Sequence, residues 1–304
     1  MIHAEMLTRR FGDITAVDGA SLDARPGEVT GLLGPNGAGK TTTLSMISGL
    51  LAPTSGRILL DGIDLAAEPR RAKSLLGVVP QEIALYEELS ARENLEFWGA
   101  LRGLSGTSLR ERIEEVLALV ELSDRRDPVS RFSGGMKRRL NLAAGVVHRP
   151  RILLLDEPTV GIDVHARARI LELVRQMARD GTTVLYTTHY LEEAEALCDR
   201  VAILDHGRIL ADGTLSQLQR SLGDGKVISA RGSFTEEEFR ARCPVGDAIH
   251  FPEDGHVLVA AGHSSAPGVL SALLDSGLSL DDVTIREPSL QSVFLRLTGR
   301  ELRD

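Results

Sequence analysis

Gly34-Pro35-Asn36-Gly37-Ala38-Gly39-Lys40-Thr41-Thr42 follows the apolar run EVTGLLG, Glu28 to Gly34, and opens the segment KTTTLSMISGL. A buried strand, a glycine-rich turn and a helix in that order form a phosphate-binding unit. The glycines let backbone N–H groups converge on phosphate oxygens, and the helix N-terminus adds partial positive charge. Every fixed position of GxxxxGK[ST] is filled, so a chance glycine-rich turn is the weaker reading. Lys40 is expected to reach the β- and γ-phosphates. Thr41 should ligate Mg²⁺ through its hydroxyl, and Thr42 should contact the α-phosphate.

Working outward, Ile152-Leu153-Leu154-Leu155-Asp156-Glu157 reads as an apolar strand ending in two carboxylates. Such a strand delivers Asp156 rigidly to the sheet edge, where it can orient Mg²⁺, usually through water. Glu157 is then placed to polarise an attacking water. A strand-end charge without function is the bland alternative, and the phosphate loop argues against it. Between the two motifs lies Phe132-Ser133-Gly134-Gly135-Met136. Its serine supplies a hydroxyl, and its glycines open a helix N-terminus to an anion.

The rest of the chain frames these segments. Residues 1 to about 80 read as short strands and turns, and Arg57 to Gly62 carries strand-like alternation. From about 85 to 148 the character is helical, with capping-box spacing at Ser90/Glu93 and again at Ser108/Glu111. Strand signals return at Ile152–Leu155, Thr183–Thr187 and Val201–Leu204, separated by helices, which argues for a largely parallel sheet. Beyond Gly213 a short helix leads to a flexible boundary. The order then expected is strand 226–230, helix 235–242, strands near 248–251 and 256–260, helix 267–276 and strand 280–285. That βαββαβ order suggests a ferredoxin-like sandwich, followed by a last helix in SLQSVFLRLTG.

At 304 residues the chain suits a large α/β domain and a smaller one. The expected division is 1–222 and 223–304. A hydrophobic fraction of 42% and a charged fraction of 26% fit a globular protein with a sizeable core. The net charge of −8 gives no reason to expect nucleic acid, which needs clustered positive charge. Lys137-Arg138-Arg139 reads as one face of a helix. Two distant cysteines, Cys198 and Cys243, suggest reduced thiols in a cytoplasmic setting. The first residues carry no apolar signal-peptide core. No stretch approaches the roughly 18–20 apolar residues needed to span a bilayer.

Over almost all of residues 1 to 215 these motifs resemble the nucleotide-binding subunits of ABC transporters. The resemblance implies an α/β P-loop NTPase core with a helical insertion, ATP and Mg²⁺ as ligands, and a second nucleotide-binding subunit, expected to be another copy. In that family Ser133, Gly134 and Gly135 would bind the γ-phosphate held by the opposite subunit. The usual form is LSGGQ, so Phe132 and Met136 depart from it, and methionine lacks a glutamine's hydrogen bonds. Gln81 matches the Q-loop glutamine, which senses Mg²⁺ and the attacking water. His189 matches the switch histidine at the γ-phosphate, although a lone histidine is more often structural. Asp163 matches the D-loop aspartate, in TVGID rather than the common SGLD. Phe11 falls where an aromatic ring stacks on adenine; the alternative is a core position.

The tail Pro288 to Leu302 resembles the end of ABC-2-type exporter ATPases, which include drug- and antibiotic-resistance systems. That implies an ATP-hydrolysing subunit powering export of a small molecule, drug, antibiotic or lipid. It would sit on the cytoplasmic face of the membrane beside separate ABC-2 permease subunits. An importer ATPase shares the same chemistry. A non-transport ABC ATPase acting on a soluble assembly is the other alternative; the chain carries one cassette and no sustained heptads.

Overall fold

The computed structural model describes residues 1–220, 226–245, 248–260, 266–286 and 289–298. The chain divides into two compact units, Met1–Ile209 and Leu210–Asp304. The division expected at 222/223 lies outside the described residues.

The first unit holds five whole strands of a six-stranded sheet: β3 (Val29–Leu33), β6 (Leu76–Val79), β7 (Ile152–Asp156), β8 (Thr183–Thr188) and β9 (Arg200–Asp205). With β10 (Arg208–Gly213), which begins at the last two residues of this unit, the strand order is β10-β9-β3-β8-β7-β6. β3 lies between β8 and β9, parallel to both, and β7 runs parallel to β6 and β8. Residues of β3, β7 and β8 are buried on both faces, as helical cover of a parallel sheet requires. Register matters more than order here. Leu33 pairs with Thr188, Asp156 with Thr187, and Val79 with Leu155. The segments leaving β3, β6, β7 and β8 therefore emerge along one carboxyl edge, where open α/β sheets gather their ligands.

A second sheet is antiparallel and differs from the short strands expected. β1 (Ile2–Phe11) and β2 (Ile14–Ala24) form a long hairpin, and β4 (Ser55–Leu60) and β5 (Ile63–Asp64) complete the order β2-β1-β4-β5. Register shifts interrupt the β1–β2 pairing between Ala4 and Arg10, and Met6 takes a left-handed φ of 48°. Such a bulge spoils the two-residue alternation by which a long strand is read. One core joins this sheet to the parallel one through α1 (Lys40–Ile47): Leu7, Val17, Leu44, Ile47, Leu60 and Leu154 are all buried in it.

The helical insertion comprises α3 (Ala91–Leu101), α4 (Gly106–Leu119) and α5 (Gly134–Val146); α2 (Pro69–Ser74) precedes it. Ser90 and Glu93 form the expected reciprocal capping box. Ser108 and Glu111 do not. α4 begins before Ser108, whose hydroxyl donates to the Ser105 carbonyl at 2.9 Å. Leu109 explains the earlier start: its Cδ1 lies 2.4 Å from where a Cβ on Gly99 would stand, so the first turn already packs on α3. α6 (Val164–Arg179) and α7 (Leu191–Leu197) complete the unit.

In the second unit, after α8 (Leu215–Arg220), come β11 (Val227–Ser233), α9 (Glu236–Arg242), β12 (Ala248–Glu253), β13 (His256–Ala260), α10 (Ala266–Asp275), β14 (Ser279–Arg286) and α11 (Leu290–Thr298). The sheet order is β12-β13-β11-β14, antiparallel throughout. This is the βαββαβ sandwich expected. Ile228, Ala230, Phe239, Val257, Val269 and Leu273 form its core. Cys198 and Cys243 are free and buried. No helix among the described residues is long and apolar enough to cross a membrane.

Candidate active site

The phosphate loop is shaped by what its glycines avoid. A Cβ on Gly34 would stand 2.2 Å from the Leu204 carbonyl oxygen, so the loop leaves β3 only because that atom is missing. Gly39 caps α1 at φ 106°, a conformation that L side chains rarely adopt. Pro35 is half-buried, Asn36 and Gly37 are exposed, and Ala38 is buried. Thr41 is exposed and Thr42 half-buried on the first turn of α1.

Lys40 is buried. Its ammonium donates to the carbonyls of Gly34 at 2.6 Å and Pro35 at 3.0 Å, and lies 3.0 Å from Glu157 Oε1. Its three protons therefore all have acceptors. Glu157 carries a left-handed φ of 43°, a strain of about 1–3 kcal/mol for a non-glycine residue. Gln81 Nε2 donates to Glu157 Oε2 at 3.4 Å. His189 Nδ1 stands 3.1 Å from the same oxygen, at ion-pair distance but off the line of a formed hydrogen bond. Burial pushes the Glu157 carboxyl up, yet His189 and Lys40 beside it outweigh burial and hold it below the ordinary value.

Asp156, also buried, accepts from Thr187 Oγ1 at 2.7 Å, and the Glu157 N–H donates to that same hydroxyl at 3.0 Å. Thr187 thus ties both acidic residues to β8, and the sequence reading missed it. Its position beside the TTH segment, facing Asp156 across parallel strands, was the available signal.

The structure thus brings Lys40, Gln81, Asp156, Glu157 and His189 together, and it leaves a second group apart. Ser133 caps α5, its Oγ accepting from the Met136 N–H at 3.3 Å. Asp163 caps α6 by accepting from the Ala166 N–H at 3.0 Å, which holds its carboxyl below the ordinary value. A Cβ on Gly135 would meet Ala166 Cβ at 2.8 Å and Asp163 Oδ2 at 4.0 Å, so the two helix starts abut. Ser133, Gly134 and Asp163 are exposed. Among the described residues, no hydrogen bond or ion pair joins this patch to Lys40 or Glu157. Phe11 is 46% exposed at the end of β1, with the Arg9 guanidinium 4.6 Å above its ring, so it is not a core residue.

The basic run is more than a helix face. Lys137 pairs with Glu87, and Arg139 donates to the Val120 carbonyl at 2.8 Å. Arg138 donates to the carbonyl of Gln81, and at 3.3 Å to that of Val160. One guanidinium on the helix behind Ser133 therefore fastens the segments carrying Gln81 and Asp163.

A phosphate loop and paired strand-end carboxylates on one edge of a parallel sheet define a P-loop nucleoside-triphosphatase. A family model described as ABC transporter matches residues 17–160. The linearmycin resistance ATP-binding protein LnrL of Bacillus subtilis (strain 168) is 44% identical, over 100% of this chain and 100% of its own. The daunorubicin resistance ATP-binding protein DrrA3 of Streptomyces coeruleorubidus is 40% identical over 97% of this chain and 95% of its own. Among solved structures, the ATP-binding cassette MJ0796, a dimer in a post-hydrolysis state bound to ADP and Pi, matches with a TM-score of 0.64. It is 28% identical and covers 70% of this chain and 98% of that one. The chain belongs to the ABC transporter family, as an ATP-binding and ATP-hydrolysing subunit.

Proposed function

We propose that this chain hydrolyses ATP between two copies of itself to drive export through separate membrane-spanning subunits of ABC-2 type. The observation that carries the hydrolytic roles is the convergence of Lys40, Gln81 and His189 on one carboxylate, Glu157. Phosphates entering the loop compete with Glu157 for the Lys40 ammonium. As Lys40 turns to the β- and γ-phosphates, Glu157 loses a charge that held its proton affinity down, while its burial remains. It becomes a better acceptor when substrate is in place. Glu157 then polarises the water, and its oxygen attacks the γ-phosphorus as the bond to the bridging oxygen breaks. His189 steadies the γ-phosphate, and Phe11 stacks on the adenine.

Thr41, Asp156 and Gln81 would hold Mg²⁺. An exposed hydroxyl, a strand-end carboxylate and an amide oxygen are hard oxygen donors, the set this cation prefers. When bound, Mg²⁺ neutralises charge on the transferring phosphoryl group.

The exposed patch of Ser133, Gly134 and Asp163 supports the pairing, because it offers a helix N-terminus and hydroxyl to a phosphate its own loop does not hold. The relatives named for resistance to linearmycin and to daunorubicin support a drug- or antibiotic-like cargo, whose removal from the cell would confer such resistance. Tyr86 and Phe97, in the segment that follows Gln81, are exposed and packed edge-to-face at 4.8 Å, and they suit contact with the membrane partner at the cytoplasmic face. The test is to purify the chain from membranes and identify what accompanies it. A polytopic permease whose loss abolishes stimulated ATPase activity supports the proposal. A fully active chain with no membrane partner in cells contradicts it.

A further inference from the structure

Glu193 lies in the first turn of α7, where a carboxylate ordinarily faces water near the positive end of the helix. Here it is buried, with 2% of its surface exposed. Thr159 Oγ1 donates to its Oε1 at 2.6 Å. Tyr186 OH and Thr188 Oγ1 donate to Oε2 at 2.9 and 2.8 Å. Arg167 Nε approaches Oε1 at 3.5 Å, an ion pair without a formed hydrogen bond, and its guanidinium lies 4.6 Å from the Tyr190 ring centre. Burying a carboxylate costs several kcal/mol unless hydrogen bonds and a counter-charge saturate it. This one is saturated. Burial and the Glu193 charge push the Tyr186 phenol up, so it remains a donor.

The positions of those partners give the cluster its meaning. Thr159 follows Glu157 by two residues, and Arg167 follows Asp163 by one turn of α6. Thr188 immediately precedes His189, and its hydroxyl also accepts from the Tyr190 N–H at 2.9 Å. The backbone on both sides of His189 therefore hangs from one hydroxyl, which hangs from Glu193. A carboxylate needed only for packing has no reason to draw its donors from these three segments.

We propose that Glu193 is a positioning residue for hydrolysis: it holds the segment carrying His189 in register with the segment that follows Glu157, so both side chains address one γ-phosphate. The inference rests on the roles given above to Glu157 and His189. Removing Glu193 itself would strand three hydroxyls and risks misfolding, so the hydroxyls are the better probes. Thr188→Val and Thr159→Val keep shape and remove one donor each; Thr188→Ser and Thr159→Ser keep the donor.

The valine variants should lower kcat about ten- to a hundredfold, the scale of small misplacements of catalytic groups. The KM for ATP should stay within about twofold, the limit for uncoupled effects. The serine variants should restore turnover. In a His189→Ala background, Thr188→Val should lower the residual rate no further. Valine variants that melt earlier yet keep kcat would overturn the inference, as would a Thr188→Val loss that persists undiminished without His189. His189→Ala with full turnover would instead overturn the reading of His189 itself.

Discussion

Lys40 and Glu157 form a buried ion pair, Nζ to Oε1 at 3.0 Å, between the two groups assigned to phosphate binding and water activation. The pair makes each group's state depend on the other. Burial raises the Glu157 carboxyl, and the His189 and Lys40 contacts more than offset it, so the folded value lies below the ordinary 4.5. The native state therefore binds this proton less readily than the unfolded chain. Its stabilising contribution is complete above about pH 4.5 and is lost as the pH falls through the lowered value. Glu157→Gln removes that dependence. Urea midpoints followed from neutral pH down to about pH 3 should show wild type losing stability relative to the variant only below about pH 4.5. A gap independent of pH contradicts the ion pair.

Phe11→Ala should raise the KM for ATP about tenfold, within the roughly 1–3 kcal/mol of ring-on-base stacking, and leave kcat unchanged. Because the ring is 46% exposed, thermal stability should hardly change. Phe11→Tyr should bind as wild type. A melting-temperature loss with normal KM would return Phe11 to a structural role.

Arg138→Ala frees the carbonyls of Gln81 and Val160 from their shared guanidinium. The expected stability loss is about 1–2 kcal/mol, the scale of a charge-assisted hydrogen bond at a half-buried site. Turnover should fall several-fold more than stability explains, because the tether joins the segments bearing Gln81 and Asp163. Arg138→Lys, which cannot span both carbonyls, should recover only part. Steady-state rates beside denaturant midpoints separate these effects.

Gly34→Ala places a methyl 2.2 Å from the Leu204 carbonyl oxygen, a backbone atom that cannot swing aside. Overpacking of this kind costs about 1–3 kcal/mol. The denaturation midpoint should fall whether or not ATP is present, unlike a variant that only weakens phosphate contacts.

Much of this was legible because some segments carry their chemistry locally. GPNGAGKTT and LLLDE announce a loop and a strand end without tertiary context, and the strands and helices of the second unit kept their expected order. The antiparallel hairpin of β1 and β2 was less readable, since the bulge at Met6 breaks its alternation. The capping box at Ser108 failed because Leu109 packing on Gly99 starts the helix sooner. Thr187, Arg138 and Glu193 escaped notice for a different reason. A threonine, an arginine in a basic run and a glutamate in a helix start look solvated until parallel register and α5 bring their partners near.

On the pairing proposed above, Ser133 serves the loop of the other copy. Two mixed dimers test it, each carrying one Ser133→Arg and one Lys40→Ala substitution. With both changes on one subunit, one composite site loses its loop and the other its facing serine, so neither should hydrolyse ATP in a single turnover. With the changes on opposite subunits, both fall on the same site and the second site should still hydrolyse ATP. The reverse pattern, activity only when both changes share a chain, would contradict the account.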